Sequence, residues 1–107
     1  MVGGSTMIGD GNNSPETSIP GILQKIYDQQ NLGMNIEVVN AGLAGYNVKS
    51  EHELIKNKIF NLDPDLILVY NGWNDISADY PVPYMRDVTS ELCNDSKSKN
   101  VDVIITL

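Results

Sequence analysis

The sequence predicts an α/β fold in which a parallel sheet lies between two layers of helices. Strand and helix signals alternate along the 107 residues in the order βαβαβαβ, which is typical of parallel sheets with crossover helices on both faces. The run Leu66–Tyr70 is apolar without polar alternation, as expected for a strand covered on both sides. It stops abruptly in a polar loop at residues 71–75. Ligands usually bind beyond the carboxyl ends of such strands, so we expect Asn74 in this loop to be functional.

The first strand is predicted to end at residues 1–2, which run into a tight turn at residues 3–6. A strand usually has about five or six residues, so we expect this one to begin before residue 1 and the chain to be truncated there. Residues 9–17 are rich in Gly, Asn, Ser and Pro and predict a loop. A helix follows, with Pro20 in its first turn and its end near residues 32–33. Helical spacing predicts an inward face made of Ile19, Ile22, Leu23, Ile26 and Tyr27.

Residues 36–39 predict a second strand, which stops at residues 40–45, a turn whose two glycines permit close backbone approach or positive φ. Ser50 with Glu53 three residues later is a capping-box pattern and predicts the start of a helix. Residues 63–64, Asp-Pro, end that helix and lead into the central strand. The apolar stripe of the helix is formed by Val48, Ile55, Ile59 and Leu62.

After Asp75 the sequence predicts a loop containing Pro81 and Pro83, then a helix. Lys97 near the end of this helix suits the helix dipole. Residues 101–107 predict a fourth strand, and the chain stops inside it or at its end. We find no repeats, low-complexity tracts or linkers, so residues 1–107 are expected to belong to one domain. The inward side chains of the last helix are predicted to be Met85, Val88 and Leu92.

Composition limits the partners that this chain can attract. A chain of 107 residues with 41% hydrophobic content can form one modest domain with a core. The formal net charge of -7 argues against a nucleic-acid backbone or an anionic membrane surface as partner. No apolar run reaches the roughly 18 residues that a membrane span needs. With the single Cys93 and one histidine, an internal disulfide is excluded and a protein-built zinc site is improbable.

The chemistry is expected where three strands end, at Ser5, at residues 42–45 and at Asn74. Ester hydrolysis by a serine needs an exposed nucleophile, donors aimed at the developing oxyanion, and a base for the hydroxyl proton. Ser5 could be the nucleophile, and the Ser5 and Gly45 N–H groups with the Asn74 amide could be the donors. A side chain at position 45 would crowd the carbonyl that its N–H must reach. No residue meets the requirement for a base.

These strand ends resemble the first three sequence blocks of the SGNH (GDSL-like lipase) hydrolase family. The segments are Gly-Gly-Ser-Thr at residues 3–6, Asn-Ala-Gly-Leu-Ala-Gly at residues 40–45 and Gly-Trp-Asn-Asp at residues 72–75. Each segment alone is weak evidence for the family, but three segments in the same order, each at the end of a strand, are strong evidence. The resemblance covers about residues 2–76. The resemblance implies a three-layer α/β/α, flavodoxin-like fold and no metal or organic cofactor. It also implies the nucleophile and donor roles of Ser5, Gly45 and Asn74.

Two features depart from the family pattern. Gly4 stands where the signature usually has Asp, although a Gly-Gly-Ser-Thr branch of the family exists. The family's base is a histidine in an Asp-x-x-His motif near the C-terminus, and residues 1–107 contain no such motif. The resemblance therefore implies that this chain is the N-terminal portion of a larger hydrolase domain and nearly inactive alone. Truncation would expose a sheet edge, which favours self-association.

Several residues have plainer interpretations. His52 lies on the apolar stripe of the helix that is predicted to begin at Ser50, so packing is favoured over a role as the base. Tyr46 and Trp73 flank the expected site and could stack on a sugar ring, but core or loop packing is about equally favoured. Asp75 is expected to brace its loop by hydrogen bonding. Without the other two blocks, Ser5 would be interpreted as a turn or cap residue.

The sequence as a whole favours an SGNH-type esterase or acetylhydrolase that forms an acyl-enzyme on Ser5. Small or carbohydrate-linked acyl esters are the expected substrates, the carbohydrate part by family analogy alone. The alternative is a non-catalytic α/β module that kept the pocket and binds a ligand or carbohydrate. Acyl length, leaving group, compartment and oligomeric state stay open.

Overall fold

A four-stranded parallel sheet with the order β2-β1-β3-β4 forms the centre of the protein. The computed structural model describes residues 1–11, 14–30 and 32–106. The strands are β1 (Val2–Gly3), β2 (Ala41–Gly42), β3 (Leu66–Tyr70) and β4 (Asp102–Thr106). This order is the flavodoxin-like one. The predicted α/β fold with a parallel sheet is therefore confirmed.

Helices connect each strand to the next. They are α1 (Ser5–Ile8), α2 (Ile19–Gln29), α3 (Val48–Asn57), α4 (Trp73–Ser77) and α5 (Val82–Ser98), with 3₁₀ turns at Pro15–Thr17 and Ile59–Leu62. The chain passes from β1 to β2 in one direction and then back across the sheet to β3 and β4. Right-handed crossovers place α2 on one face and α3 and α5 on the other, where these two helices pack together. The three predicted layers are thus present.

The core lies between the sheet and the α3–α5 layer. Its fully buried members are Val2, Ile55, Ile67, Val69 and Leu92. Val88 is also buried, so the inward face that the sequence predicts for α5 is confirmed for Val88 and Leu92. β3 has the predicted bounds, although Leu66 at its start is half exposed.

The predicted second strand at residues 36–39 is wrong, because only Ala41–Gly42 forms a strand there. The Val39 carbonyl accepts from the Met1 N-terminal amine at 2.7 Å, but Ile36 and Val38 bond to a side chain instead of a neighbouring strand. The Gln24 Nε2 atom donates to the Ile36 carbonyl at 2.9 Å, and the Val38 N–H donates to Gln24 Oε1 at 2.6 Å. The amide of Gln24 thereby takes the place of a strand partner.

Replacing Gln24 with alanine is expected to destabilise the protein by about 1–3 kcal/mol. The change would leave the partly buried N–H of Val38 and carbonyl of Ile36 without their partners. The matched control is Gln29→Ala in the same helix, where the side chain is exposed and the expected change is within about 0.5 kcal/mol. Urea unfolding of both variants measures the difference, and equal stabilities would contradict the role given to Gln24.

The predicted capping box of α3 is also wrong. The helix begins at Val48, and its N-cap is Asn47, whose side-chain oxygen accepts from the Ser50 N–H at 3.0 Å. Ser50 is therefore the third residue of the helix, and Glu53 lies beyond its first turn. Leu62 was expected on the buried stripe but is 62% exposed, because the 3₁₀ turn changes the residue spacing after Ile59.

The predicted inward face of α2 is largely exposed. Ile19, Ile22 and Ile26 are 43%, 49% and 44% exposed, because the helix packs mainly against α1 and the first 3₁₀ turn. It also ends at Gln29, earlier than expected.

Other corrections are local. The expected loop at residues 9–17 contains the 3₁₀ turn Pro15–Thr17, and residues 12–13 of this loop lie outside the described residues. The polar loop after β3 forms helix α4 from Trp73, since Gly72 adopts a positive φ before it. Leu107 of the predicted fourth strand also lies outside the described residues. In the part of the chain that the structure describes, no helix is both long and apolar enough to cross a membrane.

Candidate active site

A crevice opens at the carboxyl ends of β1 and β3. The chain leaves β1 toward β2 on one side and returns to β3 on the other, so this is the switch point at which open α/β sheets bind ligands. The strand ends are level, because Gly3 pairs with Gly42 on one side and with Tyr70 on the other. The crevice is lined by Gly4, Ser5, Thr6, Tyr46, Glu51, Tyr70, Asn71, Gly72, Trp73 and Asn74.

A larger depression lies at the opposite edge of the sheet, where β4 begins. Cys93, Lys97 and Asp102 are among its lining residues. It contains none of the residues that the sequence singles out at the ends of the strands. We therefore take the crevice between β1 and β3 as the candidate site.

Ser5 lies in this crevice as the first residue of α1. Gly4 is the N-cap, and its carbonyl accepts from the N–H groups of Met7 and Ile8 at 3.1 and 3.2 Å. The Ser5 carbonyl accepts from Gly9 and Asp10 in the same way. The first N–H groups of a helix have no acceptor inside it, so the Ser5 N–H is available to a ligand oxygen. The strand-turn-helix geometry thus fixes the backbone of a half-buried serine.

Asn74 approaches Ser5 from the end of β3. Its Nδ2 atom donates a 2.6 Å hydrogen bond to the Tyr46 carbonyl, which joins the loops that follow β2 and β3. A Cβ atom on Gly4 would stand 2.8 Å from the same Nδ2 atom. A side chain at position 4, such as the Asp of the family signature, would therefore displace the Asn74 amide from its present place. The glycine in the first motif and the asparagine in the third are matched to each other.

Gly45 lies in the turn after β2, where the Tyr46 N–H donates to the Leu43 carbonyl at 3.2 Å. Its φ of 77° is in the left-handed region that favours glycine. The residue is exposed and is not among those that line the crevice, whereas its neighbour Tyr46 is. The role of the Gly45 N–H as an oxyanion donor stays a prediction.

Both aromatic candidates line the crevice. Tyr46 is partly buried and holds Asn74 through its carbonyl. Trp73 is 80% exposed, so core packing does not account for it. Its ring is available to a ligand that enters the crevice.

Asp75 braces the site as expected. Its carboxylate is completely buried and accepts from the Val48 N–H at 2.9 and 3.2 Å. This contact fastens the N-terminus of α3 to α4. The first turn of α3 is thereby held beside the crevice.

Glu51 is a residue of the site that sequence reasoning missed. Its side chain is 1% exposed and lines the crevice, and neither carboxylate oxygen has a hydrogen-bond partner among the described residues. Burial raises the pKa of Glu51 to about 7; the nearby Asn71 side chain partly opposes this shift, and the charge of Asp75 adds to it. The spacing did contain a signal, because Glu51 stands three residues after Val48 and four before Ile55, on the inward face.

His52 does not line the crevice. It is 8% exposed between α3 and α5, where its Nε2 atom lies 2.9 Å from Asp95 Oδ2 and its Nδ1 atom 3.9 Å from Glu91. The prediction of a packing histidine is confirmed. Within residues 1–11, 14–30 and 32–106, no three His, Cys, Asp or Glu side chains are grouped as a metal ion would require.

Comparison with known proteins gives a consistent set of structures. No protein-family model matches the chain, and a search of curated proteins finds no match. Among solved structures, the SGNH-hydrolase family esterase AlinE4 is 24% identical with a TM-score of 0.81. The psychrotrophic esterase EstA from Pseudoalteromonas sp. is 20% identical with a TM-score of 0.81. A catalytic mutant of Axe2, an acetylxylan esterase from Geobacillus stearothermophilus, is 17% identical with a TM-score of 0.77.

The extent of these matches is uneven. Each covers 97% of the present chain, but only 55% of AlinE4 and 56% of the other two chains. The chain therefore spans a little over half the length of the structures that it resembles. At identities of 24% or less, the likeness defines the fold and not the activity.

Proposed function

Because the chain has an SGNH/GDSL-like fold and its crevice brings Ser5 beside Asn74, we propose that the protein is a serine ester hydrolase. The observation that carries this proposal is the packing of the Asn74 amide against Gly4, the residue before Ser5. A hydroxyl and an amide donor at one switch point are two of the groups that acyl transfer requires.

In the proposed reaction, the Ser5 Oγ atom attacks the ester carbonyl carbon and the carbonyl electrons move to its oxygen. This oxyanion receives hydrogen bonds from the N–H groups of Ser5 and Gly45 and from the Asn74 amide. The alcohol then leaves with a proton, and water hydrolyses the acyl-enzyme to release the acid. An amide group carries two N–H donors, so Asn74 can keep its bond to Tyr46 while the second donor meets the oxyanion. The Tyr46 bond would orient that second donor in advance.

The proton of Ser5 needs a base, and we assign this role to a histidine outside residues 1–107, as the family resemblance implies. His52 is unsuited to it, because it lies between α3 and α5 and is not among the residues that line the crevice. Among the residues that the structure describes, no histidine lines the crevice. This last observation favours the second candidate function, a binding module that kept the crevice but does not cleave its ligand.

Small acyl esters, including acetyl groups on carbohydrate, are the proposed substrates. The acid-rich chain, with its net charge of -7, favours neutral or cationic ligands over anionic ones. The exposed Trp73 ring and the neighbouring Tyr46 offer flat apolar surfaces on which a sugar ring can stack. The acetylxylan esterase among the similar structures agrees with this substrate class.

Covalent labelling of the full-length protein with an alkyl fluorophosphonate tests the proposal. Such reagents phosphonylate a serine only when it is activated, and mass spectrometry is expected to locate the adduct on Ser5. Hydrolysis of p-nitrophenyl acetate should fall to background in Ser5→Ala. The matched control is Ser90→Ala, an exposed serine on α5.

The His52→Ala variant tests whether His52 is the base. Once corrected for folded protein, its labelling and turnover should equal those of the unmodified protein. Loss of both would make His52 the base and overturn the present assignment. If the unmodified full-length protein is folded but gives no adduct on Ser5 and no turnover, the binding module is supported instead.

A further inference from the structure

The buried acid Glu51 points to a ligand group that enters the crevice. Its side chain is 1% exposed and lines the same crevice as Ser5 and Asn74. Neither carboxylate oxygen has a hydrogen-bond partner among the described residues. Buried polar groups are nearly always hydrogen-bonded in native proteins, so an unpaired one calls for an explanation. The ester hydrolysis proposed above uses no such carboxyl.

Glu51 is held in place by the start of α3. The Asp75 carboxylate binds the Val48 N–H, and the Asn47 side chain binds the Ser50 N–H. One turn later, Ile55 is completely buried in the core. With both flanks of the turn fixed, the Glu51 side chain stays in the wall of the crevice.

The surroundings of Glu51 determine which ligand group suits it. Asn71 after β3 lowers the pKa of Glu51, and the charge of Asp75 on α4 raises it. Tyr46 and Tyr70 contribute further polar groups to the crevice. The carboxylates Glu91 and Asp95 on α5 face the adjacent His52. Burial raises the pKa of Glu51 to about 7, so near neutral pH much of the group is protonated. A protonated carboxyl both donates and accepts, as a hydroxyl does, whereas an ammonium group only donates.

We propose that Glu51 determines substrate specificity by hydrogen-bonding a hydroxyl group that the substrate carries next to the scissile ester. Hydroxylated esters are then preferred over alkyl esters of the same size, because an alkyl group leaves the buried carboxyl without a partner. This inference rests on the proposed function for its catalytic readout. The same preference for a hydroxylated ester is expected in binding, which can be measured without catalysis.

The test compares 2-hydroxyethyl acetate with propyl acetate, which differ by a hydroxyl in place of a methyl group. In the full-length protein, kcat/KM is expected to be at least about tenfold higher for the hydroxylated ester, since sites built to bind a hydroxyl reject analogues that lack it. The Glu51→Leu variant should bring this ratio close to one. Glu51→Gln, which can still hydrogen-bond, should retain most of the preference and guards against a folding defect in Glu51→Leu. Glu53→Leu, an exposed position on the same helix, is the matched control.

Binding to the Ser5→Ala variant provides the second readout. Trp73 is the only tryptophan within residues 1–107 and lines the crevice, so the fluorescence change that is lost in Trp73→Phe reports ligand entry. We expect at least about tenfold tighter binding of 2-hydroxyethyl acetate than of propyl acetate, and loss of this difference when Glu51→Leu is added. If the preference appears in binding but no ester is cleaved, the proposed function fails and the role of Glu51 stands. A preference that is absent from both readouts, or unchanged by Glu51→Leu, overturns the inference, as does stronger binding of 2-aminoethyl acetate.

Discussion

Replacing Asn74 with alanine is expected to lower kcat for ester hydrolysis by about 10² to 10³, the usual effect of removing one oxyanion donor. The side chain is partly exposed and makes its hydrogen bond to the carbonyl of Tyr46. Loss of that bond should destabilise the fold by only about 1 kcal/mol. The measurement is kcat with p-nitrophenyl acetate in the full-length protein, together with thermal unfolding to establish that the variant is folded.

Two further variants make this result specific to the oxyanion. Gly4→Ala adds a Cβ atom 2.8 Å from the Asn74 amide nitrogen, so it should lower kcat without removing any donor. Asn57→Ala, at an exposed position on α3, is the matched control and should leave kcat unchanged. Full activity of Asn74→Ala would remove this residue from the mechanism.

The site motifs were predictable because each is local in sequence and follows a strand. The apolar run Leu66–Tyr70 marks β3, and the polar residues after it must lie at its carboxyl end. Parallel strands carry all such ends to one edge, so Ser5 and Asn74 could be expected together without knowledge of a single contact. The close packing of Gly4 against the Asn74 amide could not be predicted from the sequence, because it joins two loops that are distant in the chain.

Burial was harder to predict than helix position. The spacing of Ile19, Ile22 and Ile26 correctly marks one face of α2, but periodicity does not report whether another element covers that face. The second strand failed for a related reason. Ile36 and Val38 have the composition of a strand, yet they hydrogen-bond to the side chain of Gln24, which lies on helix α2.

Glu51 was missed because the start of α3 was placed three residues too late. With Ser50 as the cap, Glu51 would be the first helical residue, where an acid is favoured by the helix dipole and open to solvent. With Asn47 as the observed cap, Glu51 is the fourth helical residue and points inward with Val48 and Ile55. The error of three residues in the predicted start of α3 is therefore the reason that the buried acid of the crevice was not predicted.

Glu51 should also make the protein less stable as the pH rises from about 4.5 to about 7. Its ordinary pKa of 4.5 applies to the unfolded chain, while burial raises the pKa of Glu51 in the native protein to about 7. Between these values the native state binds more protons than the unfolded state, so the free energy of unfolding falls with increasing pH. At about 1.4 kcal/mol per pH unit, this group should lower that free energy by about 3 kcal/mol between pH 4.5 and pH 8.

The Glu51→Gln variant should lose this part of the pH dependence, since its amide does not titrate. Urea unfolding at pH 4.5, 6, 7 and 8 gives the free energy of unfolding of both proteins. The difference between them should shift by about 3 kcal/mol in favour of the variant from the lowest pH to the highest. A constant cost of burying the amide is present at every pH and cancels from this shift. Glu53→Gln, exposed on the same helix, is the control and should follow the unmodified protein throughout. Parallel pH profiles for Glu51→Gln and the unmodified protein would show that burial does not raise the pKa of Glu51.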